Sequence, residues 1–236
     1  MPDLIRVGHK GADAIVKGNT LASFDAALDA GVDMIEFDIM PYPRTGELVL
    51  AHDPSAVGQN PPTLYEGLLH LAGARFAGVQ FDVDMKAEGY EADVAAALRH
   101  HGLFERSLIS SQLVDSLKIL RDAAPDARIG WSVPHLGRDP FRNPLTRYPA
   151  AMIGVGYRQV LPGRAAEAIR SGFAQALMAQ WRLVTPRLTR AVHGAGGQLF
   201  VWTVDDPAML RRLAAMGVDG LITNDPRLFD GITRAG

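Results

Sequence analysis

Short apolar-rich runs recur along the chain, and between them apolar residues repeat every three or four positions. The runs at residues 4 to 8, 33 to 39, 79 to 85, 107 to 110, 128 to 133, 175 to 178, 199 to 203 and 219 to 222 predict eight strands. The intervening segments predict helices. Leu21 to Ala30 carries Leu21, Phe24 and Leu28 on one stripe, with Thr20 as N-cap and Gly31 as its stop. Thr185 with Pro186 opens another helix bearing Leu188 and Val192, and Asp206 with Pro207 opens a third bearing Leu210, Leu213 and Met216 before Gly217. The junction Ala30-Gly31-Val32-Asp33 recurs as Met216-Gly217-Val218-Asp219, each time leading into a strand. Alternating strands and helices belong to an α/β chain with a parallel sheet. Eight such units predict a (β/α)8 TIM barrel; an open doubly wound sheet has the same alternation and is the alternative.

One stretch breaks the alternation. After the second strand, Pro41-Tyr42-Pro43-Arg44-Thr45-Gly46 is a turn cluster, and Glu47 to Ala51 reads as a return strand ending in His52 and Asp53. Such a β-hairpin after strand 2 brings His52 back beside Asp38.

Composition narrows the class. With 236 residues, 47% hydrophobic and 21% charged, the chain is expected to form one domain spanning 1–236. Its 24 basic and 26 acidic residues form no long block of either sign, which argues against a nucleic-acid partner. The absence of cysteine excludes disulfides, Cys-ligated zinc and thiol catalysis. Met1 to His9 runs directly into a strand without a charged and apolar leader, so a cytoplasmic location is expected.

The chemistry lies on strand faces. Residues at i and i+2 of a strand point the same way, so Glu36 and Asp38 share one face while Ile35, Phe37 and Ile39 share the other. A hard divalent cation, Mg²⁺ or Ca²⁺, removes the repulsion between two such anions; a solvent-facing strand is the plainer explanation. In Gln80-Phe81-Asp82-Val83-Asp84-Met85-Lys86, the residues Asp82, Asp84 and Lys86 face one way. Inside a barrel that face points to the axis, which places Asp84 to complete a three-carboxylate metal site and Lys86 to meet a substrate anion or neutralise a carboxylate. His9, at the end of strand 1, and His52 reach the same rim, and imidazoles suit proton transfer near neutrality.

The segments Gly8-His9-Lys10-Gly11, Asn19-Thr20-Leu21-Ala22-Ser23-Phe24, Ile35-Glu36-Phe37-Asp38, His52-Asp53, Asp84-Met85-Lys86, Val201-Trp202-Thr203-Val204 and Gly217-Val218-Asp219-Gly220-Leu221-Ile222-Thr223 resemble, in order, the glycerophosphodiester phosphodiesterase family of the PLC-like phosphodiesterase barrels. The resemblance implies a (β/α)8 barrel that hydrolyses glycerophosphodiesters to an alcohol and glycerol 3-phosphate with a divalent metal. It implies Glu36, Asp38 and Asp84 as metal ligands and His9 and His52 as the catalytic pair. It further implies phosphate binding by Lys10 and Lys86, Asn19 framing the metal site, and Trp202 lining the substrate pocket.

The chain departs from that pattern at four points. Lys10 replaces an arginine, Gly18 replaces a glutamate, Asp84 replaces a glutamate, and only 31 residues separate His52 from Asp84, a reduced insertion that implies a more open mouth. The aspartate-lysine pair and short insertion also resemble phospholipase D-type enzymes of the same superfamily, which act on lysophospholipids or sphingomyelin. From Pro134 to Gly172, Arg138, Arg142, Arg147, Arg158, Arg164 and Arg170 stand against Asp139 and Glu167, with an apolar run from Tyr148 to Tyr157. This stretch is expected to be either a lid for an anionic or lipid-like substrate, with transient membrane-surface contact, or a helical excursion with a solvated arginine face. A Schiff-base lyase using Lys86 and a binding module without catalysis are the competing functional classes.

Overall fold

The computed structural model describes residues 4–55, 60–135 and 144–232, with backbone alone for 144–155. Its strands are β1 (Ile5–Gly8), β2 (Met34–Pro41), β3 (Leu48–Leu50), β4 (Gln80–Met85), β5 (Ser107–Ser111), β6 (Arg128–Val133), β7 (Ala176–Gln180), β8 (Gln198–Trp202) and β9 (Gly220–Thr223). All except β3 are parallel to their neighbours, and pairing of β1 with both β2 and β9 closes them into a ring. The expected barrel is therefore formed, and the open doubly wound alternative falls. β3 lies outside the ring, antiparallel to β2, with Ile39 opposite Leu50 and Pro41 opposite Leu48.

Among the described residues, seven α-helices surround the strands: α1 (Leu21–Asp29), α2 (Leu64–Leu71), α3 (Glu91–His100), α4 (Val114–Ala123), α5 (Pro144–Arg170), α6 (Pro186–Gly194) and α7 (Pro207–Ala215). Thr20, Thr185 and Asp206 cap α1, α6 and α7 as their sequence positions predict, each accepting from the amide three residues on. The alternation within strands separates two apolar layers. Ile35, Phe37, Ile39, Phe81, Val83 and Met85 pack outward with the helices, whereas Val7, Met34, Leu108, Met178, Phe200 and Ile222 fill the barrel interior. The interior is thus apolar below and acidic above, because Glu36, Asp38, Asp82 and Asp84 follow Met34 up the same inward faces.

The repeated Gly-Val-Asp junction has a mechanical purpose. Asp33 accepts from the Arg6 amide of β1 at 2.9 Å while its own amide donates to the Arg6 carbonyl. Asp219 does the same with Leu199 of β8, at 2.8 Å through its carboxylate. Gln175, in a junction without the motif, repeats the arrangement with Ile129 of β6. Each short polar side chain ties the foot of one stave to the preceding one. The Arg6 guanidinium also forks onto Asp33.

Residues 144–170 form the single helix α5, and Leu161, Ala165 and Ala166 seat its described second half against the barrel layer. Arg158 donates to the Arg182 carbonyl at 2.6 Å, Arg164 lies over the Trp131 ring, and Arg170 is exposed. This part is helical, with Arg158, Arg164 and Arg170 exposed. Arg138, Asp139 and Arg142 lie outside the described residues, as do the side chains of Arg147 and of Tyr148 to Val155. No helix among the described residues is long and apolar enough to cross a membrane.

Burial works to raise the Asp33 carboxyl, but the hydrogen bonds and charge of Arg6 outweigh it and hold the group below its ordinary value. A depressed carboxylate contributes stability that is present above its unfolded value and lost as pH falls through the folded one. Asp33→Ala is expected to cost about 1 kcal/mol, the pair being more than one-third exposed. Urea unfolding should show this difference at neutral pH, its decline once the pH falls below the unfolded value, and its disappearance in acid below the folded value. An unchanged difference in strong acid would contradict the assignment.

Candidate active site

The acidic pairs are set by strand register. Across β2 and β4, Glu36 stands beside Asp82 and Asp38 beside Asp84. Ligand oxygens of Glu36, Asp38 and Asp84 all lie within 4.8 Å of one another. The three carboxylates named from sequence therefore converge at the carboxyl ends of neighbouring staves, where barrel sites are built.

Two ammonium groups answer them. Lys86 Nζ is 2.7 Å from Asp38 Oδ1 and also pairs with Asp84 Oδ2, and Lys10 Nζ is 3.9 Å from Asp38 Oδ2. Of the two tasks foreseen for Lys86, neutralising carboxylates is the one the geometry displays. Burial pulls the Lys86 ammonium down, but Asp38 and Asp84 outweigh it and hold the group above its ordinary value. Asp38 is held low by Lys86 against the opposing effect of burial, whereas burial and the Asp38 charge push Glu36 well up. Asp82, deeper along the axis, is pushed up to about 8 by burial and then by Asp84. The oxygens Asp84 Oδ1 and Asp82 Oδ1 are buried without a hydrogen-bond partner.

The loop from His9 to Thr20 wraps the acids. The Lys10 amide donates to Glu36 Oε2 at 2.7 Å, and the Gly11 amide donates to the Glu36 carbonyl at 3.0 Å. Asn19 clasps Asp38 in both directions: its Nδ2 donates to Asp38 Oδ2 at 2.8 Å and its Oδ1 accepts from the Asp38 amide at 3.0 Å. Lys10 and Asn19 hold φ of 51° and 56°, the left-handed region that side chains other than glycine seldom occupy. Both side chains reach Asp38, so the loop stores its strain where it meets the acidic cluster. Gly11 is required twice over, by a φ of 82° and by the Ser23 backbone 2.6 Å from where a Cβ would stand. The departure at Gly18 has a steric cause as well, since a Cβ there would meet Asp13 Oδ1 and Lys10 Cβ, each at 2.6 Å.

The histidines come from two elements, His9 from the end of β1 and His52 from the chain that follows β3. His9 Nδ1 is 2.6 Å from Asn224 Oδ1, and its Nε2 faces Glu36 Oε2 at 3.8 Å. Burial holds the His9 imidazole below its ordinary value, with Asp38 pulling the other way. The hairpin returns as expected: Ala51 donates to the Asp38 carbonyl at 3.1 Å, and the next residue is His52. His52 Nδ1 is 3.1 Å from Asp53 Oδ2, and Asp53 Oδ1 accepts from the Ser55 amide. Trp202, half-buried at the top of β8, packs on the inner apolar layer and donates from Nε1 to the Met178 carbonyl at 3.0 Å.

Three further residues support the cluster without standing out in the sequence. The buried Tyr90 hydroxyl accepts from the amides of Lys86 and Ala87 and donates to the Ile39 carbonyl, which locks the top of β4 against β2. Asn224 and Asp205 stand behind His9. A signal existed for both, since Asn224 directly follows Thr223 and Asp205 lies three residues beyond Trp202, at ends of barrel strands.

Residues 9–59 and 80–228 match the model of the glycerophosphoryl diester phosphodiesterase family. The intervening 60–79 hold α2 and one 3-10 turn, in the region where the insertion is reduced. A glycerophosphodiester phosphodiesterase of Caldanaerobacter subterraneus is 25% identical over 98% of both chains. Among solved structures, a glycerophosphodiester phosphodiesterase from Agrobacterium tumefaciens superposes with a TM-score of 0.71 and 22% identity, covering 96% of this chain and 99% of that one. An Oleispira antarctica phosphodiesterase solved with the product sn-glycerol-3-phosphate gives 0.73 and 18%, covering 97% and 96%.

Asn19→Ala leaves two buried polar groups of Asp38 unpaired and places a Cβ-bearing residue other than asparagine at a left-handed position. The expected loss of stability is about 2 to 4 kcal/mol. Equilibrium unfolding in urea checks it, and a loss below about 0.5 kcal/mol would show that the clasp is not holding Asp38.

Proposed function

As the chain belongs to the glycerophosphoryl diester phosphodiesterase family, we propose that it hydrolyses glycerophosphodiesters to an alcohol and glycerol 3-phosphate, using a divalent cation held by Glu36, Asp38 and Asp84. The observation that carries this reading is the meeting of three carboxylates with two imidazoles at one barrel mouth. The donor set suits Mg²⁺ or Ca²⁺: every candidate ligand is a hard carboxylate oxygen, and Asp84 Oδ1 is buried without a hydrogen-bond partner. When bound, such an ion supplies positive charge that draws electron density from a phosphoryl group.

The chain's own residues supply the rest. His9 takes the proton from the attacking oxygen, whether that of water or of a neighbouring substrate hydroxyl. As the new P–O bond forms, the bond to the leaving alcohol breaks and His52 gives that oxygen its proton; where a substrate hydroxyl attacks, the product of this step is a cyclic phosphate, and water then opens its P–O bond to the ring oxygen to give glycerol 3-phosphate. Asp53 holds the His52 ring by its Nδ1, and the ring's partial exposure lets the alcohol depart into solvent. Lys10 adds positive charge at the rim for the phosphate, Asn19 fixes the orientation of Asp38, and Trp202 walls the pocket for the glycerol moiety. Lys86 holds two carboxylates together, and an ammonium kept protonated by them is a poor Schiff-base nucleophile. Lysophospholipids form the second substrate class, favoured by the few residues between β3 and β4 that could cover the mouth.

Glycerol 3-phosphate release from glycerophosphocholine and glycerophosphoethanolamine, with a lysophospholipid assayed alongside, tests the proposal. Activity is expected to vanish with EDTA and return with Mg²⁺ or Ca²⁺. His9→Ala and His52→Ala should each lower kcat by about 10² to 10⁴. Full turnover in EDTA, or substantial turnover in either variant, would overturn it; trapping by borohydride with substrate would favour the lyase instead.

A further inference from the structure

Behind His9 lies a hydrogen-bonded chain that the proposed reaction does not by itself require. Asn224 Oδ1 is 2.6 Å from His9 Nδ1. The other end of the same amide, Asn224 Nδ2, donates to Asp205 Oδ2 at 2.6 Å, and the Asn224 backbone amide donates to Asp205 Oδ1 at 2.8 Å. Thr223 Oγ1 donates to that same Oδ1 at 2.9 Å. The backbones are tied as well, His9 donating to the Thr223 carbonyl at 2.8 Å and Ala14 to the Asn224 carbonyl at 3.0 Å.

The polarity of this chain follows from donor and acceptor inventories. A carboxylate only accepts, so the end of the Asn224 amide facing Asp205 has to be its NH₂ group. Its carbonyl oxygen is then the end that faces His9, and a carbonyl oxygen also only accepts. His9 Nδ1 must therefore carry a hydrogen. In a neutral imidazole the remaining nitrogen, Nε2, is left with its lone pair, and this is the nitrogen turned toward the carboxylate cluster at Glu36.

We propose that Asp205 and Asn224 are positioning residues that fix His9 as the Nδ1–H tautomer and so assign it the role of proton acceptor. The inference rests on the phosphodiesterase reading for its kinetic consequence but not for the tautomer itself. Neither residue touches the substrate. Asp205 acts by preventing the Asn224 amide from turning over, and Asn224 acts by accepting from His9. The same logic makes the two side chains exchangeable: an asparagine at 205 donating to an aspartate at 224 would again leave an oxygen facing His9.

The test uses the full chain labelled with ¹⁵N-histidine, the His9 resonances being identified by their loss in His9→Gln. Long-range ¹H–¹⁵N spectra of the wild type should show Nδ1 protonated and Nε2 unprotonated at a pH where His9 is neutral. Asn224→Leu removes the acceptor and should shift His9 toward the other tautomer, lowering kcat by about 10- to 100-fold with KM within about threefold. Asp205→Asn alone frees the amide to rotate and should do the same. The exchanged pair, Asp205→Asn with Asn224→Asp, should restore both the tautomer and most of kcat. The relay is overturned if wild-type His9 is protonated at Nε2, or if Asp205→Asn leaves tautomer and kcat unchanged. Should Asn224→Leu fail to fold, the single and exchanged variants at 205 decide alone. Because the spectra need no turnover, a wild type inactive on every phosphodiester but with the expected tautomer would sink the proposed reaction and leave the relay standing.

Discussion

Like charges gathered in one barrel mouth repel, and in a low-dielectric interior that repulsion is severe. Much of the upper barrel is arranged to contain it. Register between β2 and β4 forces Asp38 and Asp84 side by side, the Lys86 ammonium bridges them, and Asn19 and the Lys10 amide give donors to Asp38 and Glu36. The containment is incomplete in an instructive way. Asp84 Oδ1 and Asp82 Oδ1 remain buried without partners, and burial pushes Glu36, Asp82 and Asp84 toward the protonated form. Unsatisfied oxygen donors at this density form the natural complement of a hard cation.

The same electrostatic demand accounts for the shape of the first loop. Bringing the Lys10 amide to Glu36 and the Asn19 amide group to Asp38 requires left-handed backbone at both residues. The Gly-His-Lys-Gly segment is the price of that turn, since Gly11 passes too close to Ser23 to bear a side chain. Strain here is offset by capping of α1 through Thr20 and by Ser23 Oγ, which donates to the Lys10 carbonyl. Precision at the mouth thus draws on ordinary packing and capping elsewhere.

The strands were legible because each stave must present alternating faces to two different apolar layers, a constraint written into every second residue. The paired acids were legible for the same reason, and the hairpin because a Pro-Gly turn cluster can do little else. Helix α5 was harder: Pro149, Pro162 and three glycines argue against a helix of 27 residues, yet the packing of Leu161, Ala165 and Ala166 overrides local propensity. Asn224 and Asp205 were hidden by resemblance to turn residues. Asp205 adjoins Asp206, a genuine cap, and only the closing of β1 on β9 brings Asn224 to His9. Gln175 shows the converse, performing the task of Asp33 and Asp219 without their motif.

The central claim is that Glu36, Asp38 and Asp84 grip one divalent ion in spite of the Lys86 ammonium between two of them. Calorimetric titration of the metal-free protein with Mg²⁺ and with Ca²⁺ tests it most directly. The account predicts saturable uptake of one ion per chain for at least one of the two, strongly weakened in Asp38→Asn. Absence of uptake of either ion, or uptake unaffected by that substitution, would contradict it.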